Sequence, residues 1–146
     1  MWFMILPMFA VLFFCMSSEM AKGADRESFL KPVGDEYFEN SKNGGMWTKA
    51  RSKRIEEVSD VQGYLSELNM GQFRDWRLPT KQELYDLFLI FDLKNNGDVR
   101  VRVEGKYWLA SELGVLSVGA WEIGDGCGPE RRFSLGKKGY VRAIRP

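Results

Sequence analysis

The side chains able to do chemistry are few, and most lie near the C-terminus. Asp125 and Glu130 stand in the glycine-rich run 124–130, and carboxylate oxygens on such a loop are the hard ligands that calcium takes. A plain glycine-rich turn is the competing reading. Just beyond, Arg131, Arg132, Lys137 and Lys138 fall at turn or strand-end positions from which side chains reach solvent. Guanidinium groups match carboxylate or sulfate bidentately, so these four are the candidate ligand-binding residues, for an acidic glycan or an acidic protein face. Solvated loops and strand faces would carry the same charges. A second basic group is Lys49, Arg51, Lys53 and Arg54, but the formal charge of the chain is only +1, so no global attraction to polyanions exists. The chain has no histidine, which excludes imidazole acid–base catalysis, His-containing triads and His-ligated metals. Two cysteines exclude a four-thiolate zinc site. No catalytic residue, metal or cofactor is assigned.

The elements that must position these groups are organised around the stretch 73–91. Thr80 and Glu83 stand three apart, a capping box in which each side chain meets the other residue's free backbone N–H. Pro79 keeps Leu78 out of the α region, so the approach to this helix is extended and the boundary sharp. Leu84, Leu87, Phe88 and Phe91 then follow the helical repeat against a core. In an extended approach Asp75 and Arg77 share one face and Trp76 takes the other. The expectation is structural: Trp76 fills the core, while Asp75 and Arg77 hold loop backbone or partner the C-terminal strand. A ligand role for that pair is the alternative.

Residues 2–16 are almost wholly apolar and too short to span a bilayer comfortably; small and polar residues follow. Residues 1–23 therefore read as a secretory signal, cleaved after Gly23 with Ala21 and Gly23 as the small residues. No Lys or Arg precedes the apolar run, so an uncleaved anchor is the alternative, and a lipid anchor on Cys15 a further one. Removal of Cys15 would leave Cys127 alone, either buried or paired between chains. Residues 24–44 read as a polar linker and 45–146 as the domain. Met46, Trp47 and Thr48 make a short strand anchored by Trp47. Ile55, Val58, Val61, Leu65 and Leu68 mark a helix ending near Asn69; a second capping-box pattern at Ser59 and Gln62 leaves its start open, with a first turn at Ile55 separate from the main helix as the alternative. Val99, Val101 and Val103 alternate with Arg100, Arg102 and Glu104, the pattern of a half-buried strand in an exposed ribbon or hairpin. Strands are also expected over 107–111 and 118–123, and a terminal hairpin over 131–135 and 140–144. Tyr107, Trp108, Trp121, Phe133 and Tyr140 read as core, with a sugar-stacking platform as the alternative. Helices early and antiparallel strands late give an α+β domain.

Asp75-Trp76-Arg77-Leu78-Pro79-Thr80 with Glu83-Leu84, then 107–111 with Trp108, then Ala120-Trp121, and finally 140–145 with Arg142, resemble the successive signatures of the Lcl C-terminal domain family. The resemblance runs back through Trp47 and covers roughly 45 to 145. It implies a C-type-lectin-like fold, akin to that of formylglycine-generating enzymes, in a family most of whose members have no assigned activity. Those enzymes use a cysteine pair that this chain lacks outside its leader. The Glu-Pro-Asn, Gln-Pro-Asp and Trp-Asn-Asp elements of sugar-binding C-type lectins are also missing. The resulting expectation is an exported, non-catalytic binding or adhesion module of the bacterial cell envelope, periplasmic, secreted or at the cell surface, with no nucleic-acid partner. A structural subunit of a surface assembly is the first alternative, and a carboxylate-based enzyme using Asp125 and Glu130 the second.

Overall fold

The structure, a computed structural model, describes residues 26–124 and 130–146. Its elements in order are β1 (Leu30–Val33), β2 (Tyr37–Asn40), β3 (Met46–Thr48), α1 (Val58–Leu68), α2 (Lys81–Asp92), β4 (Tyr107–Ala110), β5 (Leu116–Ile123), β6 (Arg131–Gly136) and β7 (Ile144–Arg145). They form two antiparallel sheets, of order β1-β2-β3-β7 and β4-β5-β6, so the α+β expectation is met. No described helix is long and apolar enough to cross a membrane.

Helix α2 is the hub. Its capping box is present in full: Glu83 N donates to Thr80 Oγ1 at 3.1 Å, and Thr80 N donates to Glu83 Oε2 at 2.8 Å. Leu87 and Ile90 enter a cluster with Leu30, Phe38, Trp47 and Ile144 of the first sheet, whereas Leu84 and Phe88 pack on Tyr107 and Leu109 of the second. Serving two sheets widens the buried arc beyond one stripe, so Ile90 is buried and Phe91 only half-buried. A third cluster joins Val61 of α1 to Leu78, Trp108, Val118 and Val141.

Four expectations need correction. Residues 24–44 are not only a polar linker, because β1 and β2 form a hairpin of the first sheet, turned at Gly34 with φ +61°. Two buried anchors, Leu30 and Phe38, were enough to recruit a polar segment. The first helix, expected to start at Ile55 or, with Ile55 separate, at a cap on Ser59, begins at Val58; Ile55 is separate and bridges Gly139, and the N-cap is Glu57 without a side-chain bond, so Ser59 and Gln62 form no box. Residues 99–103 are not a strand in these sheets. The alternation survives as burial, with Val99 buried and its neighbour Arg100 exposed, while Tyr107 Oη and Arg142 Nη2 hold the Arg102 carbonyl at 3.0 and 2.8 Å. The terminal hairpin does not form either: β6 pairs with β5, and the chain crosses to the first sheet, where β7 pairs with β3. Residues 141–144 are buried in succession, as a segment covered on both sides is, rather than alternately as in a half-buried hairpin.

Candidate functional site

The central stretch is tied down at each residue expected to matter. Trp76 is buried, and Asn69, at the end of α1, grips its backbone from both sides: Trp76 N donates to Asn69 Oδ1 at 2.8 Å and Asn69 Nδ2 donates to Trp76 O at 3.1 Å. Sequence reasoning saw in Asn69 only a helix end. Asp75 pairs with Arg145 on the last strand, Arg145 Nε to Oδ1 at 2.6 Å, and Arg145 holds the Asp75 carboxyl below its usual range. Arg77 donates through Nη1 and Nη2 to both oxygens of Glu83 at 2.9 and 2.8 Å, and its backbone bridges Ile144. Asp75 thus partners the C-terminal strand through its side chain, whereas Arg77 meets that strand only through its backbone and sends its side chain to α2.

Glu83 therefore carries two jobs, and its pKa is lowered, chiefly by the Arg77 hydrogen bonds and then by the Thr80 backbone N–H, against an opposing effect of burial. A carboxylate whose folded pKa is depressed adds stability above its unfolded value, and that stability is lost as pH falls through the folded pKa. The Arg77 side chain is 47% exposed, so screening limits the pair, and cap and pair together are worth on the order of 1–2 kcal/mol. Glu83→Gln should lower the urea midpoint at neutral pH. The gap to wild type should close as pH drops below about 4.5, the ordinary value for this carboxyl. A gap that is independent of pH would show that the ionised pair adds nothing.

Asn69, Trp76, Arg77 and Glu83 wall a groove of about 870 Å³ between α1, the stretch 76–83 and the β4–β5 turn. Val61, Leu65, Leu78 and Leu116 supply apolar lining, and Gln62, Thr80, Ser111 and Glu112 polar groups. Several of the polar groups already serve the fold: Thr80 caps α2, and Ser111 Oγ accepts from Val115 N at 3.1 Å.

The four candidate ligand-binding residues separate. Arg131 is a structural residue: its Nε and Nη2 donate to both Asp92 oxygens at 2.6 Å, Nη1 donates to Trp121 O at 2.7 Å, and the guanidinium lies 5.0 Å from the Phe88 ring centre. Its side chain is 10% exposed, and Asp92 raises its pKa. This corrects its expected place among the solvent-facing cations: on β6, residue 131 shares a face with Phe133 while residue 132 takes the other. Arg132, Lys137 and Lys138 are exposed. Among the described residues, the contact of Lys138 Nζ with Glu56 at 3.6 Å is the single ion pair within 4.0 Å that any of the three makes. Lys106 joins them from β4's approach, its side chain lying where a Cβ on Gly136 would stand. Beside this row lies a hollow of about 720 Å³ lined by Arg54, Lys106, Tyr140 and Glu122.

Other candidates are settled by geometry. Arg51 stacks 3.8 Å from the Tyr140 ring centre and donates to Tyr107 Oη at 3.1 Å, so it belongs to the core rim. Tyr107 and Trp108 are buried; Trp121 and Phe133 meet edge to face at 5.2 Å, with Lys81 over both, and Tyr140 lies under Arg51, so the five aromatics form no exposed stacking platform. Asp125 and Cys127 lie outside the described residues. Among the described residues, no group of three or more His, Cys, Asp or Glu stands together as a metal site would require. The chain matches no protein family, no curated protein and no solved structure in comparisons against each.

Proposed function

We propose that the chain is an exported, non-catalytic binding or adhesion module of the bacterial cell envelope, with a C-type-lectin-like domain of the Lcl C-terminal type, that captures an acidic ligand on the second sheet. The observation that carries the reading is the row of exposed cations Arg132, Lys137 and Lys138, extended by Lys106, at the β6 end of the molecule. The cations that the fold uses are held, Arg131 by Asp92, Arg145 by Asp75 and Arg142 by backbone carbonyls. Exposed cations cost the fold little to keep in water and are free to meet carboxylate or sulfate groups. The groove near Trp76 is the weaker receiving surface for an acid, because its Arg77 is already neutralised by Glu83 and its remaining charge, Glu112, is itself acidic.

The test is retention on heparin and on polyglutamate at rising salt. The triple variant Arg132→Ser, Lys137→Ser, Lys138→Ser should elute at clearly lower salt than wild type, with an affinity loss of about tenfold or more if each contact contributes about 0.5–1 kcal/mol. Identical elution of the two proteins would overturn the proposal.

A further inference from the structure

We infer that β6 is the docking edge for an extended acidic segment of a partner polypeptide, which adds to the sheet as a fourth strand. The inference rests on the acid-binding reading above and specifies the class of ligand.

The hydrogen-bond phase of the sheet shows which groups are available. Ser111 N donates to Val115 O at 2.8 Å, and the register continues through Leu109↔Ser117 and Tyr107↔Gly119. Backbone groups alternate in direction along an antiparallel strand, so Val118, Ala120 and Glu122 of β5 point the other way, to Gly136, Ser134 and Arg132. Gly124 N donating to Glu130 O at 2.8 Å continues that phase. The amides and carbonyls of Arg131, Phe133 and Leu135 therefore face away from the sheet. Among the described residues, no backbone group bonds them.

The other sheet edges are closed or blunted. On β4, Trp108 N donates to Tyr140 O at 2.9 Å and Ala110 N to Pro79 O at 3.0 Å. Beyond β7, Arg77 and Ile144 exchange two bonds of 2.9 Å. On β1, Lys31 is exposed and Pro32 has no N–H, both devices that discourage strand addition. Strand β6 has six residues without a proline.

Charge selects the occupant. Arg132 and, through Lys106 lying across Gly136, residue 136 carry cations on one face of β6, four residues apart, or about 13 Å at the usual strand rise. Lys137 and Lys138 lengthen the row. A second copy of β6 would bring the same cations with it, whereas an acidic strand would neutralise them. On the other face Leu135 is 74% exposed and offers an apolar contact. The matching strand carries two carboxylates four residues apart, with apolar residues at the alternating positions between them, the main chain supplying affinity and the side chains selection.

The probe is the peptide Thr-Glu-Val-Thr-Val-Glu-Thr, with its Lys-for-Glu analogue and polyglutamate as comparisons, titrated into the full chain in non-ionic detergent. The acidic peptide should bind about tenfold or more tightly than the Lys analogue and should slow amide exchange at Arg131, Phe133 and Leu135. Leu135→Pro removes an outward N–H while leaving the bonds to β5, and should weaken the acidic peptide about tenfold without moving polyglutamate affinity. Should that variant misfold, the exchange rates in wild type still decide. Equal binding of the peptide to Leu135→Pro, or unchanged exchange at the three amides, would overturn strand addition while leaving the acid-binding surface intact. Failure of all anionic probes would remove both. Dimerisation blocked by Leu135→Pro would make a second copy the occupant and overturn the acidic partner.

Discussion

Replacing Arg142 with Met is expected to destabilise the protein by about 3–5 kcal/mol, lowering Tm on the order of 10–20 °C. Arg142 is 1% exposed, yet no carboxylate forms a salt bridge with it among the described residues. Its donors go to carbonyls instead: Nη1 to Thr48 O at 2.7 Å and Lys49 O at 2.5 Å, and Nη2 to Arg102 O at 2.8 Å. Burial lowers its pKa, with Tyr107 acting in the opposite direction; a guanidinium nevertheless keeps its proton in a protein. One side chain thereby fastens the end of β3 and the segment 99–105, which has no strand partner to hold it. Met fills similar space but takes the guanidinium donors from the Thr48 and Lys49 carbonyls and leaves the Arg102 carbonyl to Tyr107 Oη alone, and a buried unmet polar group is the costly outcome. Arg142→Lys keeps the charge without the fork, so it should fall between wild type and Met. Urea midpoints of the three proteins check this; equal midpoints for wild type and Met would show that water replaces the guanidinium.

Trp47→Ala should cost a comparable amount, about 3–5 kcal/mol, because it empties the centre of the first core cluster. Trp47 is 1% exposed and packs with Leu30, Phe38, Leu87 and Ile144, so the cavity is walled by both the first sheet and α2. Among the described residues its buried Nε1 has no hydrogen-bond partner. Trp47→Phe discards that unmet donor together with part of the ring, and the two effects oppose each other. The loss should then be only about 1–2 kcal/mol. Chemical denaturation of both variants gives the comparison, and a Phe variant as unstable as the Ala variant would mean that the indole N–H makes a bond the fold depends on.

How far this was legible in the residues follows from the range of the interactions. The α2 cap, its buried face and the burial of Trp76 are decided within a few positions, and Thr80, Glu83 and Pro79 spell them out. The partnership of Asp75 with the C-terminal strand was legible in kind, because an acid and a base beside a buried Trp need partners. The partners of 99–103 and 131–145 were not. An alternating Val–Arg run is equally a strand or an extended segment hung from Arg142 and Tyr107, and only long-range contacts decide between them. The hairpin expected at Gly136 and Gly139 failed for a similar reason. Gly139 is needed not for a turn but because a Cβ there would stand 2.7 Å from the Lys106 carbonyl oxygen. Among the basic residues, strand alternation was enough to part Arg131 from Arg132 once β6 was placed, but which face met Asp92 lay in α2, far along the chain.

The most direct test of the acid-binding account is to map, by backbone amide shifts, where polyglutamate lands on the full chain. The account predicts shifts concentrated at Arg132, Ser134, Lys137, Lys138 and Lys106, shrinking as salt rises because exposed charges are screened. Shifts concentrated instead at Gln62, Asn69, Ser111 and Glu112, around the groove beside Trp76, or no shifts at all, would contradict it.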